Sequence, residues 1–358
     1  MKLNLLLLFT IIFAFNSFTQ ENLQTTLQKL SKDAAIVYVN PTVSAFGSDL
    51  NSGWVHRVPK ASIFGIDIEF GIVAMGTFFG NNNKTFSTSG TFRFSRAEAQ
   101  KIVLGINPNM PQSIQDNLIN QIVTQDINVG ISGPTIVGSR KDSVKIAIQK
   151  LTVSNGNQTY VLDGKSVAIP VTGYLEEIPA LPLFAPQLTI GTLYGSSISI
   201  RYVPSMKLSD KFGNFSYFGI GVQHNPAMWL PFPLPLEVSI GLFTQTMKLG
   251  DVFQSSATTF GIFGSKTFGP GAFNVTPYVG FSYESSSSDV SYDYNIEIAV
   301  PGVTGTVTTP QHISFNLVGE NSARMIIGAA FKLGFVSLNV DYNIAKYSAV
   351  SAGFGFIF

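Results

Sequence analysis

The chain has 358 residues, of which 45% are hydrophobic and only 12% are charged, and its formal net charge is +1. Soluble domains carry about a quarter charged residues, so something other than water is expected to cover part of this protein. A nearly neutral chain without a basic patch does not favour a nucleic-acid partner. Cysteine is absent, which excludes thiol chemistry, cysteine-ligated metal and a lipoprotein anchor.

The amino terminus has the pattern of a secretory signal. Lys2 precedes an apolar run from Leu3 to Phe15, and the small residues Ser17 and Thr19 follow. The alternative is a short membrane anchor, but the run is shorter than the roughly 20 apolar residues that span a bilayer. We therefore predict a signal peptide over residues 1–19.

Residues 20–60 are predicted to form a small amino-terminal helical plug or hatch. Leu23, Leu27, Leu30 and Ala34 recur at helical spacing, and the pattern is expected to end at Asn40–Pro41. A barrel could hold this segment in or under its opening. The alternative is a periplasmic amphipathic helix without a special role.

From residue 61 the sequence alternates with the period of a β-strand. In the first strand, apolar residues from Phe64 to Ala74 alternate with Asp67 and Glu69. Burial in a soluble core would leave both carboxylates without partners at a cost of roughly several kcal/mol each, whereas a wet lumen removes that cost. We therefore predict an all-β protein, a transmembrane antiparallel β-barrel of about 12 to 14 strands over residues 61–358.

Two segments interrupt the strand pattern. A helical insertion is predicted at 95–135, because Ser95 and Glu98 have the spacing of a capping box and a second helical pattern follows Pro111. Strands are expected on either side of it, at Phe92 and from Val144 to Ile148. The polar stretch 285–321 is predicted to be a long extracellular loop or protruding hairpin.

The last strand carries an aromatic row. Phe354, Phe356 and Phe358 alternate with Gly353 and Gly355 and end the chain. This ending resembles the signal by which bacterial outer-membrane barrels are recognised by their assembly machinery. It implies the barrel assembly machinery as a partner.

Charged residues of both signs fall on the predicted inner faces of the strands. Either they form a polar path that orients a ligand, or they form a salt-bridge lattice that fills a narrow barrel. These lumen-facing candidates are Asp67, Glu69, Arg93, Arg201, Glu237, Glu284, Arg324, Lys332 and Asp341.

Short motifs in the second half of the chain carry a family resemblance. They are Arg201-Tyr202-Val203-Pro204, Gly221-Val222-Gln223-His224, Val340-Asp341-Tyr342-Asn343 and the ending from Gly353 to Phe358. With them the chain resembles an uncharacterised family of outer-membrane barrels from Bacteroidota and related phyla. More distantly it is similar to outer-membrane transporters of fatty acids and aromatic hydrocarbons, which implies a plugged barrel. The hatch motif of those transporters has no match in residues 21–60, so no ligand residue is transferred.

Catalysis is not expected. The chain has three histidines, His56, His224 and His312, and none accompanies a serine in a nucleophile-elbow motif. A membrane-embedded hydrolase would require a serine within hydrogen-bond reach of one of them. His312 with Glu320, or Asp289 with Asp293, could ligate a cation, but loop side chains of this kind are usually solvated. No metal, nucleotide or other cofactor is predicted.

Two functional hypotheses follow for a protein exported to the bacterial outer membrane. The first is passive uptake of small hydrophobic molecules, with outer-membrane lipid and a small hydrophobic ligand as partners. The second is a structural or surface-interaction barrel with a closed lumen and no transport. An apolar pocket between plug and wall favours the first hypothesis, and a lumen filled by interlocked charged pairs favours the second.

Overall fold

In the computed structural model the described residues are 21–209, 213–299 and 306–358, so the predicted signal peptide (1–19) lies outside them. Within these ranges the helices are α1 (Glu21–Asn51), α2 (Arg96–Ile106) and α3 (Gln112–Thr124). The strands are β1 (Phe64–Phe78), β2 (Thr85–Phe92), β3 (Ile127–Pro134), β4 (Val144–Ile148), β5 (Leu151–Asn155), β6 (Gln158–Leu162), β7 (Lys165–Ile169), β8 (Ala180–Leu193), β9 (Ser196–Ser209), β10 (Gly213–His224), β11 (Glu237–Leu249), β12 (Phe253–Ser265), β13 (Phe273–Ala299), β14 (Thr306–Val318), β15 (Ala323–Leu333), β16 (Val336–Ile344) and β17 (Ala349–Ile357). None of the helices in these ranges is long and apolar enough to cross a membrane.

Strands from both ends of the chain close into an antiparallel barrel. The order around the ring is β12, β11, β10, β9, β8, β1, β17, β16, β15 and β13, and β13 pairs with β12 to complete it. The antiparallel barrel is confirmed, but the predicted number of 12 to 14 strands is wrong, because the described residues place ten in the ring. The barrel unit comprises residues 42–80 and 179–358, not the whole of 61–358.

The two faces of the barrel strands differ sharply in exposure. On β1, Glu69 is 6% exposed, whereas its neighbour Phe70 and the next even-numbered residue, Ile72, are 53% and 55% exposed. The same alternation continues on the other strands, so large apolar side chains point outward. They include Phe64, Ile66, Ile68, Ile190, Ile198, Phe218, Val222, Ile240, Leu242, Phe260, Ile262, Val279, Phe281, Ile327, Val340 and Phe354.

A second unit, which we call the insert unit, is formed by the chain between β1 and β8 together with the first part of α1. It comprises residues 21–41 and 81–178. Its four-stranded sheet has the order β2, β3, β4, β7, and β5 and β6 form a hairpin. The sheet, α2, α3 and the first part of α1 share one apolar core, in which Val103, Leu118 and Val129 are fully buried. The strands predicted near Phe92 and Val144 therefore belong to this insert unit and not to the barrel.

The helical insertion predicted at 95–135 covers only part of the inserted segment, which extends over residues 81–178. Its helices are confirmed: Ser95 and Glu98 form the capping box of α2, and α3 buries Leu118, Ile119 and Ile122. The strands that flank them complete the same core. A half-buried sheet has the same alternation as a barrel strand, so the sequence pattern could not separate the two.

Helix α1 does not end at Asn40–Pro41. It continues through Pro41 to Asn51. Proline removes the donor that would bond the carbonyl four residues earlier, and this residue, Val37, is exposed, so water can satisfy that carbonyl. The helix ends before Gly53, whose φ of +66° only glycine adopts easily.

The stretch 285–321 is mostly strand. β13 continues beyond the ring and pairs with β14 from Ser287↔Val318 to Ala299↔Thr306. It therefore matches the protruding hairpin and not the loop. Residues 300–305 lie outside the described ranges.

Glycines on the inner wall make room for an aromatic cluster. Trp54, Phe243 and Phe263 are buried, with ring centroids 5.2 Å apart for the first pair and 6.0 Å for the second. A Cβ atom at Gly221 would lie 2.1 Å from Cδ1 of Phe243. The wall is therefore flat where the aromatic rings lie against it.

We predict that Gly221→Ala lowers the free energy of unfolding by about 1–3 kcal/mol, because overpacking a filled interior forces its neighbours to move. The measurement is urea unfolding of the barrel in detergent. Gly264→Ala is the matched control, because its Cβ would meet its nearest neighbour at an ordinary 3.7 Å. Equal effects of the two substitutions would contradict the prediction.

Candidate functional site

Of the segment 20–60 predicted as a plug, residues 21–41 belong to the insert unit, and residues 42–60, which we call the plug, occupy the interior of the barrel. The plug consists of the last turns of α1 and an irregular segment that leads to β1. Ser44, Ala45 and Ser48 are buried, and Ser48 donates a hydrogen bond to the carbonyl of Tyr347 at 2.9 Å. Small side chains here allow the helix to lie close to the wall: a Cβ at Gly47 would be 2.0 Å from Oγ of Ser286.

Two arginines of the wall bind the carboxyl end of the plug helix. Arg324 on β15 donates to the carbonyl of Ser48 at 2.9 Å, and Arg201 on β9 donates to the carbonyl of Ser52 at 3.0 Å. Arg324 also donates to the hydroxyl of Ser52. Four strands separate β9 from β15 on either side of the ring, so the arginines approach the plug from opposite walls.

This arrangement satisfies a requirement of the helix. The last carbonyls of a helix lack intrahelical partners and carry a partial negative charge. The last turn of α1 contains no basic residue. Arg201 and Arg324 supply both the donors and the positive charge from the wall.

The positive charges of the two arginines are compensated by different groups. Arg324 is 1% exposed and makes a bidentate pair with Glu284, at 2.9 and 3.2 Å. Arg201 is 0% exposed and has no carboxylate partner among the described residues. It donates to Oε1 of Gln187 at 2.9 Å and lies 4.0 Å from the ring centroid of Trp54.

The irregular part of the plug is bound to β1 by a second charged network. His56 Nε2 lies 2.7 Å from Oε2 of Glu69. Arg57 donates to Oδ1 of Asp67 at 3.0 Å, and its Nε lies 3.2 Å from Glu69. Both carboxylates predicted on the inner face of β1 are thus used to hold the plug.

A buried carboxyl of the plug lacks a charge partner. Oδ1 of Asp49 accepts a hydrogen bond from Thr77 at 2.6 Å, whereas Oδ2 is buried and has no hydrogen-bond partner. Burial raises the pKa of Asp49 well above its usual range, although Thr77 and Arg324 act in the opposite direction. A proton on Oδ2 removes the cost of an uncompensated charge.

A cavity of about 490 Å³ adjoins the plug near the carboxyl end of the chain. Its wall contains charged and hydroxyl-bearing residues, including Arg57, Lys60, Asp67, Ser197 and Lys332. Apolar residues, including Val58, Leu234, Leu236 and Ile357, line the same space. The cavity beside the plug is therefore of mixed polarity, with charged groups on its wall.

The structure places eight of the nine charged candidates on the barrel, and Arg93 on the insert unit. Arg93 is exposed and its Nε pairs with Asp126 at 2.6 Å, because the segment that carries it belongs to the sheet of that unit. Asp341 accepts hydrogen bonds from Tyr278 at 2.9 Å and from Ser351. Glu237 accepts from Asn225 and from the backbone of Ala61.

Sequence reasoning missed the partners that the plug supplies. Ser48, Ser52, Trp54 and Arg57 were not predicted to be functional residues. The signal that could have found Trp54 and Arg57 is the mixed run Trp54-Val55-His56-Arg57 a few residues before the first strand. Aromatic, basic and apolar residues in an otherwise irregular segment indicate that it is buried.

One histidine does have a serine within reach. Ser196 Oγ lies 2.9 Å from Nδ1 of His224, and Nε1 of Trp229 donates to Nε2 of the same ring at 3.1 Å. Indole nitrogen only donates, so Nε2 is unprotonated, and the neutral imidazole carries its proton on Nδ1. This tautomer donates to Ser196 and cannot accept its proton, so the pair does not form a nucleophile and base. The side chain of His312 lies outside the described part of the chain.

We predict that Arg324→Met lowers the free energy of unfolding by about 3–5 kcal/mol, because it leaves Glu284 buried and unpaired. Arg324→Met combined with Glu284→Leu should recover much of this loss. Urea unfolding of both variants in detergent gives the comparison. The matched control is Lys346→Met, which breaks the exposed pair with Glu320 and should cost less than about 1 kcal/mol. A double variant as unstable as Arg324→Met would contradict the pairing.

We also predict that Asp49 makes the protein less stable as the pH rises. The folded carboxyl holds its proton to higher pH than the unfolded chain, whose Asp pKa is about 4. Its stabilising contribution is complete below the unfolded pKa and is lost as the pH rises through the folded pKa. Asp49→Asn keeps an acceptor for Thr77 and removes this titration. Melting temperatures from pH 4 to pH 9 should therefore fall further for the wild type than for the variant, and parallel curves would contradict the assignment.

Comparisons with solved structures find bacterial outer-membrane barrels. OmpT of Vibrio cholerae is 7% identical, with 82% of this chain and 99% of that chain covered and a TM-score of 0.22. The FrpB iron transporter of Neisseria meningitidis is 10% identical, with 82% and 56% covered and a TM-score of 0.18, so this chain spans about half of its length. The anion-selective porin from Comamonas acidovorans is 10% identical, with 82% and 100% covered and a TM-score of 0.16. TM-scores this low do not indicate a shared function.

No curated protein matches the sequence significantly. One family model matches residues 1–358, and its description is a family of unknown function, DUF6588. Because the match extends over the whole sequence, the chain belongs to the DUF6588 family.

Proposed function

We propose that this protein is a bacterial outer-membrane barrel whose lumen is closed by its own plug, and that it anchors the insert unit in the membrane without transporting solutes. One observation carries the proposal: Arg201 and Arg324, fully buried on opposite walls, both bind the carboxyl end of the plug helix. Of the two hypotheses from the sequence, the interior supports the second, a barrel with a closed lumen and no transport.

The membrane location is supported by the outer face of the barrel. Apolar residues such as Ile72, Ile240 and Phe281 are about half exposed, and an aqueous surface would leave this band in water. Outer-membrane lipid is the proposed partner of this face. Export by a signal peptide and an origin in Bacteroidota or a related phylum belong to the same proposal.

The last strand supports a second partner. Phe354 and Phe358 point outward, at 51% and 77% exposure, and Phe356 is half-buried beside Phe335 with ring centroids 5.9 Å apart. We assign this row to recognition by the barrel assembly machinery. The strand that carries this row, β17, closes the ring by pairing with β1. The assembly machinery therefore has to recognise the row before the ring closes.

Passive uptake of hydrophobic molecules, the first hypothesis, receives less support. Opening the lumen would break several hydrogen bonds to charged groups, each worth roughly 1.5–3 kcal/mol. The contacts of Arg201, Arg324 and Arg57 with the plug and with β1 would all be affected. An open state would therefore be rarely populated, and the charged side chains on the wall of the cavity beside the plug do not suit an apolar solute.

The orientation of the barrel follows from the lengths of its connections. The long connection from β1 to β8 leaves the barrel at the end of the strands at which β13 and β14 extend, whereas β17 ends at the opposite end. Long connections of outer-membrane barrels are usually extracellular. We assign the insert unit and the hairpin to the cell surface.

We predict that the wild-type protein in planar bilayers has no steady conductance, because the plug fills the lumen. A variant with Arg201→Met, Arg324→Met and Glu284→Leu should conduct, because both wall contacts of the plug helix are removed and Glu284 is not left unpaired. Lys248→Met, a change on an exposed lysine of β11, is the control and should stay closed. Resistance to urea and to protease confirms that each variant has inserted as a folded barrel.

Uptake of a radiolabelled fatty acid by cells with and without the protein tests the first hypothesis directly. Equal uptake supports the closed barrel. A steady porin-like conductance of the wild type, or fatty-acid uptake that depends on the protein, would overturn the proposal.

A further inference from the structure

The cavity beside the plug carries positive charge that the protein does not neutralise. Lys60, Lys266 and Lys332 line it, and none of them has an ion-pair partner within the described ranges. Nζ of Lys266 lies over the ring of Phe268, 5.6 Å from its centroid. With Arg57 the three lysines give the lining four basic side chains against the two carboxylates of Asp67 and Glu237, and this excess creates a local positive potential.

The acidic residues of the cavity are already engaged. Asp67 receives both terminal nitrogens of Arg57. Glu237 accepts hydrogen bonds from Asn225 and from the backbone of Ala61. Arg57 balances the charge of Asp67, and Glu237 offsets the charge of one lysine, so the lining keeps a net positive charge and the ligand it favours is an anion.

The same wall offers hydroxyl groups. Thr192 and Ser197 are 3% and 6% exposed, and their hydroxyls have no hydrogen-bond partner among the described residues. Both residues line the cavity, so these hydroxyls are open to its contents. Nearby, Thr189 and Ser199 share a hydrogen bond of 2.9 Å and can accept or donate further.

We propose that this cavity binds a small anion that also carries hydroxyl groups, of the chemical class of a sugar phosphate. The lysines meet the charge, and Thr192 and Ser197 meet the hydroxyls. The volume of about 490 Å³ lies within the usual range of ligand pockets, about 300–1,000 Å³. Such a site is an addition to the closed barrel, which does not require a ligand.

The chain contains a natural reporter for binding. Its two tryptophans are Trp54, which lines the cavity, and Trp229, which is 68% exposed and does not line it. Trp229→Phe leaves Trp54 as the sole fluorophore. Titration of this variant in detergent with glucose 6-phosphate, at constant ionic strength, should give a saturable change in Trp54 fluorescence.

Two further probes define the chemistry. Glucose tests the contribution of the negative charge and should bind at least tenfold more weakly. Inorganic phosphate tests the contribution of the hydroxyl groups and should also bind more weakly than glucose 6-phosphate. Equal affinity for glucose and glucose 6-phosphate would overturn the proposed anion selectivity.

Lysine variants test the site itself. Lys266→Gln with Lys332→Gln, in the Trp229→Phe background, should weaken glucose 6-phosphate binding at least tenfold. Lys248→Gln on β11, outside the cavity, is the matched control and should leave the affinity unchanged. An unchanged affinity of the double variant, or no saturable response of the parent protein, overturns the proposal. Bilayer conductance is measured separately, so failure of this site would not be confused with failure of the closed barrel.

Discussion

The packing of the barrel interior depends on the positions of two buried positive charges. A guanidinium group cannot lose its charge in a protein, so Arg201 and Arg324, both fully buried, must be met by acceptors. The plug helix offers the carbonyls of its last turn, and the walls offer Glu284 and Gln187. Removal of either the plug or the wall would leave groups that the interior cannot solvate.

The same constraint explains why the barrel encloses a folded segment instead of water. An eight-stranded barrel is just wide enough for its side chains to fill, and ten strands leave space for one further segment. Serine, alanine and glycine on the plug helix allow close contact with one part of the wall. Glycines at the facing positions of β10 and β11 allow Trp54 and Phe243 to pack on another part. Where the plug makes neither of these two contacts with the wall, the cavity remains.

Charge is distributed unevenly along the interior. Near the end of α1, the arginines of the wall bind backbone carbonyls of the plug, whereas further along, Arg57 and His56 of the plug bind carboxylates of the wall. The positively charged partner thus lies on the wall at the end of α1 and on the plug further along. At the cavity this pairing ends, and the basic side chains outnumber the carboxylates. Such an excess is consistent with a site whose missing partner is a ligand.

The sequence alone determined the alternation of the strands and therefore the two faces of the barrel. Because the period of a strand is two, Phe70 and Glu69 must lie on opposite sides, whatever their neighbours. The capping box of α2 and the amphipathic pattern of α3 are local as well, and both could be predicted. The inner-face placement of Arg201 and Arg324 followed from the same period.

Only the tertiary structure decided which strands pair and what fills the interior. Residues 127–134 and 144–148 alternate as barrel strands do, yet they pair with each other in the insert unit, because alternation does not specify a partner. Helix α1 continues through Pro41 because packing of its small residues against the wall outweighs a local signal. The contacts of Ser52 with Arg201 and Arg324 join residues about 150 and 270 positions apart. Contacts over such separations leave no periodic signal in the sequence, so the closed lumen could be found only in the folded chain.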